Sequence, residues 1–189
     1  LGIFDKINLI PGDIGDMASI VEALKISEPD EIYHLAAQSF VEASFESPLA
    51  TTDDTGLAVT RILEAIRQNC SDVKFYFAAT SEMFGKTGIK LNRPLREDDP
   101  FHPMSPYATA KLYGYWITRI YREAYGIFAV NGILFNHESP IRGLEFVTRK
   151  ISNEVAKIAL GISAELRLGN INARRDWGYA CLLYTSPSP

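Results

Sequence analysis

A chain of 189 residues, 47% hydrophobic and 22% charged, is long enough to bury a core of its own and has the balance of an ordinary globular protein. Its formal net charge of −4 excludes a basic nucleic-acid footprint, and no apolar run is long enough for a membrane span. Cys70 and Cys181 lack any metal-site or redox spacing and form no ligand set with the histidines. No metal is expected, therefore, and the default compartment is reducing and cytoplasmic.

Residues 7–10, Ile-Asn-Leu-Ile, read as a short strand closed by Pro11-Gly12, with Asp13 at its carboxyl end. Asp16 is placed to cap a helix running to Ile26, with Ile20, Val21 and Leu24 on its apolar side. Residues 31–35 form the next strand, which Ala36-Ala37-Gln38-Ser39 leaves. Ser47-Pro48 announces a long helix over 49–69, burying Leu57, Ile62, Leu63 and Ile66. The near-continuous apolar run 73–79 suits a strand covered on both faces, and it delivers Thr80-Ser81-Glu82. An irregular loop is expected over 85–103 and a helix over 107–125, with Gly126 as its C-cap. A strand over 128–135 ends in Asn136-His137, a helix follows over 146–160, and 165–168 is a last short strand.

Strand and helix alternate four times, which argues for an α/β fold with a parallel sheet and helices on both faces. Ligands of open α/β sheets bind outside the carboxyl ends of the strands. Four such ends carry Asp13, the small Ala36-Ala37 pair, Thr80-Ser81-Glu82 and Asn136-His137. Together they weigh more than any one of them.

The strongest local signal is Ser105-Pro106-Tyr107-Ala108-Thr109-Ala110-Lys111. Ser105 offers a capping hydroxyl and Pro106 a preset φ, so a helix starts there. Tyr107 and Lys111, four apart, leave one face of that helix. An ammonium beside a phenol favours the phenolate, which makes the pair a proton-transfer device. In isolation a Tyr on a core stripe and a solvated Lys are the commoner explanation.

Thr80 and Glu82 point the same way from a strand end. Thr80 offers a hydroxyl to a substrate oxygen. Glu82 offers a carboxylate able to take a proton from carbon. A capping Thr and a surface Glu are the plain alternative. Asp13 could close a turn or accept from an adenine amino group. Ala36 and Ala37 could pack, or let backbone approach a pyrophosphate or ribose. His137 and Arg142 flank Ser139-Pro140 and suit the nicotinamide side of a cofactor and a phosphate, while His34 and His102 read as structural. Arg149 and Lys150 open a helix, where solvated charge competes with a pyrophosphate at its N-terminus. Arg174 and Arg175 with Trp177 suit a nucleotide diphosphate sugar.

The Tyr107 stretch, with Gly114 and Tyr115 after it, resembles the catalytic helix of the extended short-chain dehydrogenase/reductases. Longer strings narrow the likeness. They are Asn131-Gly132-Ile133-Leu134-Phe135-Asn136-His137-Glu138-Ser139-Pro140, Arg142-Gly143, 146–151, 44–48, 115–118 and Arg175-Asp176-Trp177-Gly178. Over about 8–180 they resemble the GDP-mannose 4,6-dehydratase family. That resemblance implies a Rossmann-like doubly wound parallel sheet, incomplete here, with the start of a smaller substrate-binding lobe. It implies Thr80, Glu82 and Tyr107 as catalytic, with Lys111 supporting Tyr107. It implies an NADP site at Asp13, Ile14, Leu35, Ala36, Ala37, Ser39, Tyr107, Lys111, His137 and Arg142. It places Asn136, Lys150 and Arg175 near a GDP-mannose substrate. It further implies GDP-fucose biosynthesis in the cytoplasm and a homo-dimer or homo-tetramer.

Ile141 stands where the family usually has an Arg, and Ala50 where it has a bulkier residue near the cofactor. The family's glycine-rich first turn is not among these residues, nor is most of its C-terminal lobe. The expected division is therefore 1–180, a partial NAD(P)-binding domain with the beginning of the substrate region, and 181–189, a non-native tail. The activity is expected of a longer parent and not of this fragment. Two rivals remain at this stage. One is another nucleotide-sugar enzyme of the superfamily, a 4-epimerase or a dTDP-glucose-type 4,6-dehydratase. The other is a non-catalytic NADP-binding sensor.

Overall fold

Asp16 opens the first long element. Its backbone is extended and its carboxylate accepts from the N–H groups of Ala18 and Ser19 at 3.0 and 3.3 Å, so helix α1 runs over Met17–Ser27. Glu28, in the left-handed region at φ 40°, closes it by donating to the Leu24 carbonyl. In this computed structural model, which describes Gly2 and residues 4–91 and 93–185, the chain divides into two compact units, 1–133 and 134–189.

The first unit is built on a three-stranded sheet ordered β1 (Glu31–His34), β2 (Lys74–Thr80), β3 (Ala129–Leu134). β1 and β2 pair in parallel, from Glu31 opposite Lys74 to His34 opposite Phe77. Helix α2 (Ala58–Asn69) buries Val59, Ile62, Leu63 and Ile66, at i, i+3, i+4 and i+7. Helix α3 (Pro106–Tyr125) starts as its Ser-Pro predicts: the Ser105 hydroxyl accepts from Ala108 N–H at 3.1 Å. Gly126, at φ 71°, ends it. α1 packs on α2, and α3 packs on α2 and β2. Their shared core holds Leu63, Ile66, Phe75, Phe77, Ala79, Met83, Ile127 and Ala129. Fully burying Phe75 and Phe77 is worth about 2–3 kcal/mol each.

The second unit contains β4 (Asn136–Glu138) and β5 (Trp177–Tyr179), paired in parallel with His137 opposite Gly178, and the helix α4 (Val147–Ala159). A short helix, Ala180–Thr185, follows β5. Residues 186–189 of the expected tail lie outside the described residues. Among the described residues no helix is long and apolar enough to cross a membrane.

The α/β class and the parallel pairing stand as predicted, and five local expectations change. Residues 7–10 do not form a strand: a strand exists only where a neighbour completes its hydrogen bonds, and Ile7 and Leu9 remain exposed. The helix over 49–69 is broken. It begins as one turn, Pro48–Thr51, widens into a π turn, Thr52–Leu57, and only then becomes α2. At that widening Gly56 meets α3, where an added Cβ would lie 3.5 Å from the Ala110 carbonyl oxygen. The stretch 85–103 is not wholly irregular, since Lys86–Lys90 is helical. Residues 165–168 form no strand; the partner of β4 is β5, and the expected strand over 128–135 splits into β3 and β4.

Candidate active site

β2 ends at Thr80, whose extended backbone turns into a 3-10 turn over Ser81–Phe84. The Thr80 hydroxyl oxygen accepts from the Glu82 N–H at 3.3 Å. That bond uses a lone pair and leaves the Thr80 O–H available to donate. Thr80 is buried and Glu82 half-buried. α3 packs against this turn as well as against β2. The turn holding Thr80 and Glu82 therefore lies beside the helix holding Tyr107 and Lys111.

Tyr107 and Lys111 are both buried on one face of α3. The Lys111 ammonium donates to the Ala78 carbonyl at 2.7 Å. Its nitrogen lies 4.8 Å from the Phe77 ring centroid and 6.0 Å from that of Tyr107. Burial pulls its pKa down to about 8, so at neutral pH it stays charged inside the fold. His34, expected to be structural, is buried on β1 with its ring stacked 5.8 Å from Phe77. Burial, and secondly the charge of Lys111, holds His34 down at about 4 and hence neutral.

Gly85 fastens the turn to the entrance of α3. The Lys86 N–H donates to the His102 carbonyl at 3.2 Å, and the His102 N–H donates to the Met83 carbonyl at 2.9 Å. Gly85 sits at φ 43°, and a Cβ there would lie 2.0 Å from the His102 oxygen, so only glycine fits.

The residues expected at the cofactor lie on two further loops of this unit. Asp13 is exposed and closes a turn, accepting from Gly15 N–H at 2.7 Å, while Ile14 is half-buried. Leu35 and Ala36 follow β1 and are exposed, Ala37 is half-buried and Ser39 exposed. Small side chains at this strand end leave backbone accessible to a bulky ligand, which fits a dinucleotide. One link here was missed in the sequence. The Gln38 N–H donates to the Thr55 hydroxyl at 3.2 Å, tying the loop after β1 to the π turn that packs on α3. A glycine at position 56, inside an otherwise unbroken helical pattern, was the available signal.

The remaining expected residues belong to the second unit. The Asn136 amide donates to the Asp176 carbonyl at 3.3 Å, and β4–β5 pairing sets Asn136 beside Trp177. Arg142 lies 3.5 Å over the Phe146 ring, its Nε 3.6 Å from Glu138. Lys150, in α4, and Arg175, before β5, are exposed. Among the described residues no cluster of His, Cys, Asp and Glu is arranged to hold a metal ion.

The chain is similar to known proteins along most of its length. The family model described as GDP-mannose 4,6 dehydratase matches residues 3–182. It is 53% identical over 171 residues to the GDP-mannose 4,6-dehydratase of Yersinia enterocolitica, covering 89% of this chain and 45% of that protein. It is 51% identical over 172 residues to the human GDP-mannose 4,6 dehydratase, again covering 89% of this chain and 45% of the relative. The chain thus spans about half the length of the curated relatives it matches. Among solved structures, RMD from Pseudomonas aeruginosa complexed with NADPH superposes with a TM-score of 0.84 at 23% identity, covering 94% of this chain and 60% of that one. A UDP-N-acetylglucosamine 4-epimerase from Methanobrevibacter ruminantium superposes at 0.74 with 28% identity, covering 88% and 52%. With a matching model over nearly its whole length and half its residues shared with named relatives, the chain belongs to the GDP-mannose 4,6-dehydratase family.

Proposed function

We propose that the longer protein containing this segment is a hydro-lyase that converts GDP-mannose to GDP-4-keto-6-deoxymannose with bound NADP. The observation that carries the reading is the carboxylate of Glu82, on a turn capped by Thr80 and packed against the helix of Tyr107 and Lys111. An epimerase needs the phenol, the ammonium and the hydroxyl. It does not need an acid there, whereas a dehydratase must remove a proton next to a ketone. The names of the relatives support the same substrate.

The nicotinamide supplies hydride acceptance at carbon 4 and hydride return at carbon 6. Tyr107 removes the proton of the carbon 4 hydroxyl, and the Lys111 charge favours the phenolate that does so. Thr80 donates its O–H to the sugar oxygen. Glu82 then takes the proton from carbon 5, the carbon 6 hydroxyl leaves as water with that proton, and the proton that Tyr107 took from the carbon 4 hydroxyl is returned to carbon 5 when carbon 6 is reduced. Asp13, Ile14, Leu35, Ala36, Ala37, Ser39, His137 and Arg142 are assigned to the NADP side, and Asn136, Lys150 and Arg175 to the GDP-sugar. NADP in preference to NAD, a role in GDP-fucose formation, a cytoplasmic location and a dimer or tetramer belong to the same proposal.

Glu82→Gln in the full-length enzyme tests it. The variant is expected to bind NADP and to reduce it with GDP-mannose, yet to release no 4-keto-6-deoxy sugar. Full product formation by that variant would remove Glu82 from the chemistry. The parent is expected to turn over GDP-mannose and to leave UDP-glucose and dTDP-glucose untouched; turnover of either instead would transfer the segment to a sister activity.

A further inference from the structure

Between the turn that carries Glu82 and the helix that carries Tyr107 runs a segment that the proposed chemistry leaves unused. It is closely held. Arg93 donates to both carboxylate oxygens of Asp99, at 2.9 and 2.5 Å, and the Arg96 N–H donates to Asp99 at 2.8 Å. Asp99 is only 7% exposed. Next comes Phe101, whose ring centroid lies 4.9 Å from that of Phe84 and 5.0 Å from that of Tyr115. Phe84 closes the Glu82 turn, and Tyr115 lies on α3 beyond Tyr107. The His102 N–H donates to Met83 in the turn, its carbonyl accepts from Lys86 just after the turn, and Ser105 caps α3.

We infer that Phe101 is a positioning residue, a wedge that fixes the Glu82 turn against the Tyr107 helix so that both groups address one sugar ring in succession. The inference rests on the dehydratase reading. Its physical basis is that the two elements carry different steps. Oxidation at carbon 4 needs the phenol on α3. Elimination needs the carboxylate delivered over carbon 5 from the neighbouring turn. A misplacement of about 1 Å at a reacting group can cost on the order of 100-fold in rate. Loosening the wedge moves the turn relative to α3, so the elimination step bears the loss.

The test is single-turnover mixing of full-length enzyme, NADP-loaded, with GDP-mannose, following the near-ultraviolet absorbance of reduced nicotinamide as it rises and decays. In Phe101→Leu the rise is expected to stay within about twofold of the parent and the decay to slow at least about tenfold, with KM little changed. Phe101→Tyr, which keeps the ring, should restore the decay. Equal slowing of rise and decay, no slowing at all, or failure of Phe101→Tyr to restore would each overturn the inference. If Phe101→Leu does not fold, Asp99→Asn loosens the same segment from its other end, and the same split between rise and decay is required of it. A parent that gives no reduced nicotinamide with GDP-mannose is a separate result. It sinks the dehydratase reading, and the inference with it.

Discussion

Lys111 carries a full charge into the core with one carbonyl and two aromatic rings for company. Such a group is costly to fold, and its lowered pKa measures the cost. The sign follows from proton counts. Between about 8, the folded value, and 10.5, the ordinary one, the unfolded chain holds a proton that the folded chain has lost. Stability therefore rises with pH across that window, and below it the whole penalty is present. Replacing the ammonium with an apolar chain of similar length removes the penalty and forfeits one hydrogen bond. Lys111→Met is expected to stabilise the full-length enzyme by roughly 1–2 kcal/mol at neutral pH while cutting turnover at least about 100-fold. Urea unfolding alongside a turnover assay decides it, and a less stable variant would show that the ammonium is held for the fold. The pairing of Tyr107 with Lys111 was legible because four residues apart on a Ser-Pro-started helix means one face. The burial of Lys111 was not legible, because it depends on Phe77 and Ala78, which spacing alone does not bring under the helix.

At the level of elements, α3 lies so close to β2 that position 114 has no room for a side chain. A Cβ there would lie 2.6 Å from Phe77 Cζ and 3.0 Å from Val59 Cγ2. Helix propensity favours Ala over Gly by about 1 kcal/mol, but forcing extra volume into a packed core typically costs about 1–3 kcal/mol. Phe77 is fully buried and cannot swing into solvent, so the second effect wins. Gly114→Ala is expected to lower stability by about 1–2 kcal/mol in a denaturant titration; a stabilised variant would mean that α3 shifts away from the sheet at little cost. The alternation of strands and helices in this unit was readable from the period of apolar residues and from caps at Asp16, Ser105 and Gly126. Two features escaped it. The π turn over Thr52–Leu57 packs on α3, with Gly56 facing Ala110, a tertiary contact that the spacing of residues along the chain does not show. The pairing of β4 with β5 joins two three-residue strands far apart in the chain, each too short to show a period of two.

Acid stability is a property of the whole folded chain, and His34 gives it a specific slope. The residue is 4% exposed, and among the described residues nothing pairs with its buried Nε2. Phe75 and Phe77 stack beside it, and the charge that faces it is the Lys111 ammonium, so protonation would bury a second positive charge near the first. Its folded pKa of about 4 lies below the ordinary 6.5. As pH falls through that interval the unfolded chain takes up a proton and the folded chain does not. Stability is therefore lost from 6.5 downward and the loss levels off near 4, a total of roughly 3 kcal/mol from this one group. Titrating carboxylates add their own slope, so the useful quantity is a difference between two proteins. His34→Leu, which cannot bind a proton, is expected to lose less stability than the parent between pH 6.5 and 4, by about 3 kcal/mol measured in urea at each pH. Parallel pH profiles for the two would mean that His34 takes up its proton in the fold as readily as in the unfolded chain, and the buried imidazole held neutral beside Lys111 would have to be given up.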